Sequence, residues 1–100
     1  MINLARIVGF DWDHGNVRKS IDKHSFSQSE AEQVFIDTQL VIDEDIKHSE
    51  SEVRYQALGK TIDGRRLHIT FTLRRNESLI RVISARDMNR KERARYEEEA

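Results

Sequence analysis

The chemistry available to this sequence lies mostly in its arginine, histidine and tyrosine side chains. Arg81 interrupts a largely apolar run at 79–85, and Arg86 follows that run directly. A guanidinium in an apolar strand needs a partner or faces a functional cavity. Its planar fork suits bidentate contact with phosphate or carboxylate, and it stays charged at every working pH. Arg81 and Arg86 therefore read as functional cations or as halves of buried ion pairs. Arg86, Arg90 and Arg93 fall near one face if a helix starts early enough. Glu92, Glu97, Glu98 and Glu99 lie within reach of these cations, so Arg90 and Arg95 read more simply as members of a salt-bridged helix.

Two histidines stand where a proton could be moved. His68 alternates with Thr70 and Thr72, and His48 lies in a polar stretch before Arg54-Tyr55. Either could act as acid or base near neutral pH, and either could be an ordinary surface residue. His24 reads as a residue near a helix C-terminus, where a cationic form suits the dipole. The four histidines (14, 24, 48 and 68) show no metal-ligand spacing. A site built from His48 and the run Asp43-Glu44-Asp45 is conceivable, but an acidic loop of this kind is more simply solvated. There is no glycine-rich phosphate loop, HExxH or GxSxG.

Something must position these groups in a chain of 100 residues, a length suited to one small domain spanning 1–100. Cysteine is absent, which excludes disulfides, a thiolate nucleophile and a zinc–cysteine site. A cytoplasmic location is the expectation. No run approaches the ~20 apolar residues of a membrane span. The N-terminal residues turn acidic too soon for a signal peptide. Charge is segregated along the chain. Residues 1–53 hold 5 Lys/Arg against 11 Asp/Glu, whereas residues 54–95 hold 12 against 4. Such a chain forms a bipolar surface, with a basic part suited to a phosphate backbone or an acidic partner, unless the two halves neutralise each other on folding.

The patterning predicts an α+β protein in the order β-α-α-β-β-β-β-α. A short strand covers 7–12, and Asp13 caps a helix carrying Val17, Ile21 and His24. Ser27 and Glu30 form a capping box before Ala31, Val34 and Phe35. Strands follow at 40–42 and 53–61. Asp63-Gly64 marks a hairpin, because glycine tolerates the positive φ of a tight turn. Leu67, Ile69, Phe71 and Leu73 alternate with polar residues, as in a half-buried strand. Arg75-Asn76-Glu77 reads as a turn before the strand at 79–85. Asp87 or Asn89 caps a last helix with Met88, Glu92 and Tyr96 along one side. Consecutive hairpins predict an antiparallel meander with the helices covering one sheet face.

Five segments together resemble the BrnT family of toxins: FDWDHGNVRKSIDKH (10–24), SEAEQVF (29–35), KHSESEVRYQALGKT (47–61), GRRLHITFTLR (64–74) and RVISARDMNRKERARYEE (81–98). They cover nearly the whole chain in order, and the last is the most specific. The chain departs from the family pattern at Ser20, often Asn, and at Ser25-Phe26, where a glycine commonly follows the Lys-His pair. The resemblance implies a RelE-like fold and RNA cleavage that stops translation. It also implies neutralisation by a BrnA-like ribbon–helix–helix antitoxin, with operator DNA bound only through that complex.

Metal-free RNA cleavage needs a base for the 2′-OH, a cation for the developing phosphorane charge and an acid for the leaving 5′ oxygen. Arg81 and Arg86 are assigned to the phosphate, with Arg54 supporting. Proton transfer falls to His68, His48 or Tyr96, in an order the residues leave open. Arg65, Arg66, Arg74, Arg90 and Arg93 are assigned to RNA binding, and no metal or other cofactor is expected. Only seven aromatic residues are available for stacking, so a grip dominated by the RNA backbone is expected. The alternative is a non-catalytic module or co-repressor whose basic face binds an acidic partner or nucleic acid.

Overall fold

A computed structural model describes residues 3–12 and 26–99. The helix expected around Val17, Ile21 and His24, its cap Asp13, and His14, Ser20 and Ser25 lie outside the described residues. The elements in order are β1 (Gly9–Phe10), α1 (Gln28–Val34), β2 (Val41–Glu44), β3 (Tyr55–Lys60), β4 (Arg66–Arg74), β5 (Leu79–Asp87) and α2 (Arg90–Glu99). The class is α+β, and the five strands form one sheet in the order β1-β5-β4-β3-β2.

Local chemistry sets most of these boundaries. The Ser27 hydroxyl accepts from the Glu30 amide and the Glu30 carboxylate accepts from the Ser27 amide, so the capping box starts α1. Gly64 adopts φ 91° at the β3–β4 hairpin. There the Gly64 amide donates to the Thr61 carbonyl at 2.9 Å and the Thr61 amide to the Arg65 carbonyl at 2.8 Å. At the β4–β5 hairpin, Arg75, Asn76 and Glu77 all take positive φ (51°, 56° and 65°). The Ser78 hydroxyl braces that turn by donating to the Arg75 carbonyl.

The main core fills the face between α1 and the sheet. Phe26, Ala31 and Val34 pack on Ala57, Leu67, Ile69, Phe71, Ile80, Val82 and Ala85. Phe10, Phe35, Phe71 and Tyr55 extend it as a chain of edge-on and stacked rings. Gly59 lies beneath α1, where an added Cβ would come within 2.6 Å of Val34 Cγ1 and 3.0 Å of the Val34 carbonyl.

The structure corrects two expectations. The sheet is mixed: β2 to β5 form the antiparallel meander, but β1 runs parallel to β5. The free edge of β5 takes up the N-terminal strand through Val8 N–H to Ser78 O and Asp11 N–H to Ile80 O, both 2.8 Å. The helices lie on opposite faces. Ala57 and Gly59 of β3 face α1, so Leu58 between them points the other way. There it forms a second small core with Met88 and Tyr96 of the C-terminal segment, bordered by Val41.

One irregularity changes which residues share a face. The β4–β5 register runs Thr70↔Ser84 and then Phe71↔Val82, leaving Ile83 as an extra residue. This bulge shifts the alternation of β5 by one. Arg81 and Arg86, five residues apart, would otherwise point to opposite faces. Through the register they join Thr72 and His68 respectively on the face away from α1.

Candidate active site

The sheet face away from α1 carries polar side chains along its centre. Gln56 comes from β3, His68, Thr70 and Thr72 from β4, and Arg81, Ser84 and Arg86 from β5. α2 closes one end. Arg66 pairs with Glu97 at 2.8 Å, Arg95 pairs with Asp43, and the Tyr96 hydroxyl donates to Asp37 Oδ2. The loop before β3 closes the other end. Thr72 Oγ1 donates to the Val53 carbonyl at 2.7 Å, and Arg74 pairs with Glu52.

Against α2 a compact charged cluster forms. His68 and Arg86 are directly opposed across β4 and β5. Glu92, from the first turn of α2, binds both nitrogens of the Arg86 fork, Nη1 at 2.7 Å and Nη2 at 2.9 Å. Its Oε2 also lies 3.6 Å from His68 Nε2. Glu92 is fixed by a second capping box: Asn89 Oδ1 accepts from the Glu92 amide, and Glu92 Oε1 from the Asn89 amide, both at 2.9 Å. Asn89 is thus the cap, while Asp87 turns to Arg65.

The electrostatics follow from this packing. Burial pushes the His68 imidazole below its ordinary value, Glu92 pulls it back and Arg86 adds to the depression. Burial alone would raise the Glu92 carboxyl, but the Arg86 fork, the Asn89 amide and His68 together hold it below the usual carboxylate range. The bond to Glu92 raises Arg86, against desolvation. The cluster therefore holds a neutral, desolvated imidazole beside a neutralised ion pair. The side chain of Arg86 remains 41% exposed, against 9% for His68. Arg86 is therefore the more accessible of the two groups.

The other expected site residues lie around or away from this cluster. Arg81 pairs with Asp11 at 3.8 Å. It shares the face with Arg86 but stands four β4 residues away, about 13 Å at ~3.3 Å per residue. His48 occupies an exposed turn, its Nδ1 3.0 Å from Asp45. Arg54 anchors the same loop through its backbone: its carbonyl accepts from Asp45 and its amide donates to Ser49 Oγ. Asp45 links loop to cluster, because it pairs with His48 at 3.0 Å and its charge also acts on His68. Asp43, another carboxylate of the conceivable metal site, is taken by Arg95. Among the described residues no three His, Asp or Glu side chains converge as metal ligands.

Tyr96 is 2% exposed, and burial and the Asp37 carboxylate push its phenol up to about 12. The geometry makes it a clamp between α2 and the end of α1. Arg65 bridges Glu30 and Asp87. The Arg66 and Arg74 pairs belong to the two closures already described, and Arg93 donates to the Met88 carbonyl. Arg90 is exposed in the first turn of α2. Sequence reasoning missed Glu92 as a site residue. Its signals were its place within reach of the arginines, read there as simple salt bridging, and the Asn89-x-x-Glu92 spacing of a capping box.

A family model for ribonuclease toxins, described as "Ribonuclease toxin, BrnT, of type II toxin-antitoxin system", matches residues 12–92. The chain belongs to this BrnT family. Among solved structures it is similar to the Brucella abortus ribonuclease toxin BrnT. The TM-score is 0.62 at 18% identity, covering 83% of this chain and 99% of that one. At that identity the likeness speaks to the fold. No curated protein sequence matches. Membership of a type II system implies an antitoxin partner. Among the described residues no helix is long and apolar enough to cross a membrane.

Proposed function

We propose that the chain is an endoribonuclease that cuts RNA without a metal ion and arrests translation, acting in the cytoplasm until a BrnA-like ribbon–helix–helix antitoxin covers it. Operator DNA is then bound only through the complex. The observation that supports this most is the juxtaposition of a buried His68 with a partly exposed Arg86 on the polar sheet face. Arg86 offers a fork to the scissile phosphate, and Arg81 and Arg54 support the flanking backbone. The His68 imidazole takes the 2′-OH proton while the 2′ oxygen bonds to phosphorus and the P–O5′ bond breaks. His48 or solvent supplies the proton to the leaving oxygen. The products are a 2′,3′-cyclic phosphate and a free 5′-OH, so no co-reactant is consumed.

Purified protein is expected to cleave single-stranded RNA in EDTA, and His68→Ala or Arg86→Ala to abolish cleavage with the fold intact by circular dichroism. Expression of the toxin alone is expected to stop growth, and co-expression of the antitoxin to restore it. Salt-sensitive RNA binding with no turnover would leave the binding-module reading instead.

A further inference from the structure

Arg86 is not an open phosphate receptor as it stands, because Glu92 fills its fork with two bonds at 2.7 and 2.9 Å. The same carboxylate is 3.6 Å from the His68 ring, close enough for charge interaction but too long for a hydrogen bond. One acid therefore stands between the two groups assigned to RNA chemistry, bonded to one and adjacent to the other. We infer that Glu92 is a positioning residue that exchanges partners: RNA phosphate takes the Arg86 fork from it, and the released carboxylate becomes the counter-ion of His68.

The inference rests on the ribonuclease reading and deepens it. A phosphodiester and a carboxylate compete for the same planar donor geometry. Glu92 needs only a small side-chain movement to close the gap to His68, because the Asn89 amide already tethers its other oxygen. An imidazole that has just accepted the 2′-OH proton then faces a carboxylate no longer neutralised by arginine. The charge formed in the reaction meets an opposite charge made available by substrate binding. Among the described residues, the charged groups that act on His68 are Glu92 from α2, Arg86 from β5 and Asp45 from the loop before β3. Its β3 neighbour is Leu58, which is apolar. Depression of the imidazole in the free protein agrees with a base kept neutral until substrate arrives.

The test uses Glu92→Gln, which keeps the capping box, since glutamine serves at that position. The His68 ring is titrated by NMR with and without a non-cleavable RNA oligonucleotide carrying a 2′-deoxy sugar at the scissile position. In the wild type the oligonucleotide is expected to raise the His68 midpoint by about one pH unit or more, the scale of a carboxylate brought into contact. In Glu92→Gln the free midpoint is expected to be lower and the rise on binding less than half as large. Steady-state kinetics give a second readout. Freeing the Arg86 fork lowers KM, and losing the counter-ion lowers kcat by about tenfold or more. A purely structural role would raise KM and lower Tm together.

Equal rises in both proteins, with binding and cleavage intact, would overturn the role of Glu92 alone. An oligonucleotide that neither binds nor is cut in its all-ribose form would overturn the ribonuclease reading, and this inference with it.

Discussion

At the scale of single residues, the cluster makes a statement about pH. His68 and Glu92 both titrate below their ordinary values in the folded protein, and Glu30, Asp37, Asp45 and Asp87 are shifted the same way. For each group the unfolded chain takes up its proton at a higher pH than the folded one. Stability therefore holds above the ordinary imidazole range and falls as pH drops through about 6.5. It falls again as the carboxylates protonate through their depressed folded values. Thermal melts at about pH 8, 6 and 4 are expected to give a descending series, and a Tm that rises on acidification would contradict the assignment. This scale was the least legible in the sequence. Arg86 and Glu92 are six positions apart, a spacing that no helical or strand period brings together. Their contact exists because β5 ends and α2 turns back over it. Arg81 was readable as a cation in need of a partner, but not that the partner would be Asp11.

At the scale of elements, Gly59 lets β3 pass close beneath α1. An alanine there would bring its Cβ to 2.6 Å from Val34 Cγ1 and 3.0 Å from a helix carbonyl, and backbone cannot swing aside as a side-chain tip can. Gly59→Ala is expected to cost about 1–3 kcal/mol of stability, read as a lower denaturant midpoint at unchanged m-value. The elements themselves were largely legible. Ser27 and Glu30 announced α1, Asp63-Gly64 the hairpin, and the alternation of Leu67, Ile69, Phe71 and Leu73 the strand β4. Their assembly was less so. The run at 79–85 reads as apolar on both sides because the bulge at Ile83 moves the buried set from Ile80 and Val82 to Ala85. Only a partner strand reveals that shift of phase. The second helix was misplaced because its buried content is little more than Tyr96, too weak a stripe to choose a face.

At the scale of the whole molecule, folding offsets part of the charge segregation. Arg65 meets Glu30, Arg74 meets Glu52, Arg81 meets Asp11 and Arg95 meets Asp43, each joining the basic half to the acidic one. The bipolar surface suggested by the sequence is therefore weaker than the counts imply. RNA binding, measured by fluorescence anisotropy across a salt series, is expected to show a slope of about −2 in log K against log salt. That corresponds to roughly three phosphates on a single strand, far fewer than the arginines present. A steep slope would mean that the ion pairs open on binding. The parallel pairing of Gly9 and Phe10 with Leu79 and Ile80 has a further consequence, in the order of assembly. Among the described residues every other strand contact joins neighbours along the chain, whereas this one closes a span of about seventy residues, the kind of long-range pairing that forms slowly. Until it forms, the meander can be complete while the outer edge of β5 lies open, with its amides and carbonyls available to any extended segment. The two residues of β1 thus act as a stopper on that edge, and weakening them would favour chain-to-chain association over simple unfolding.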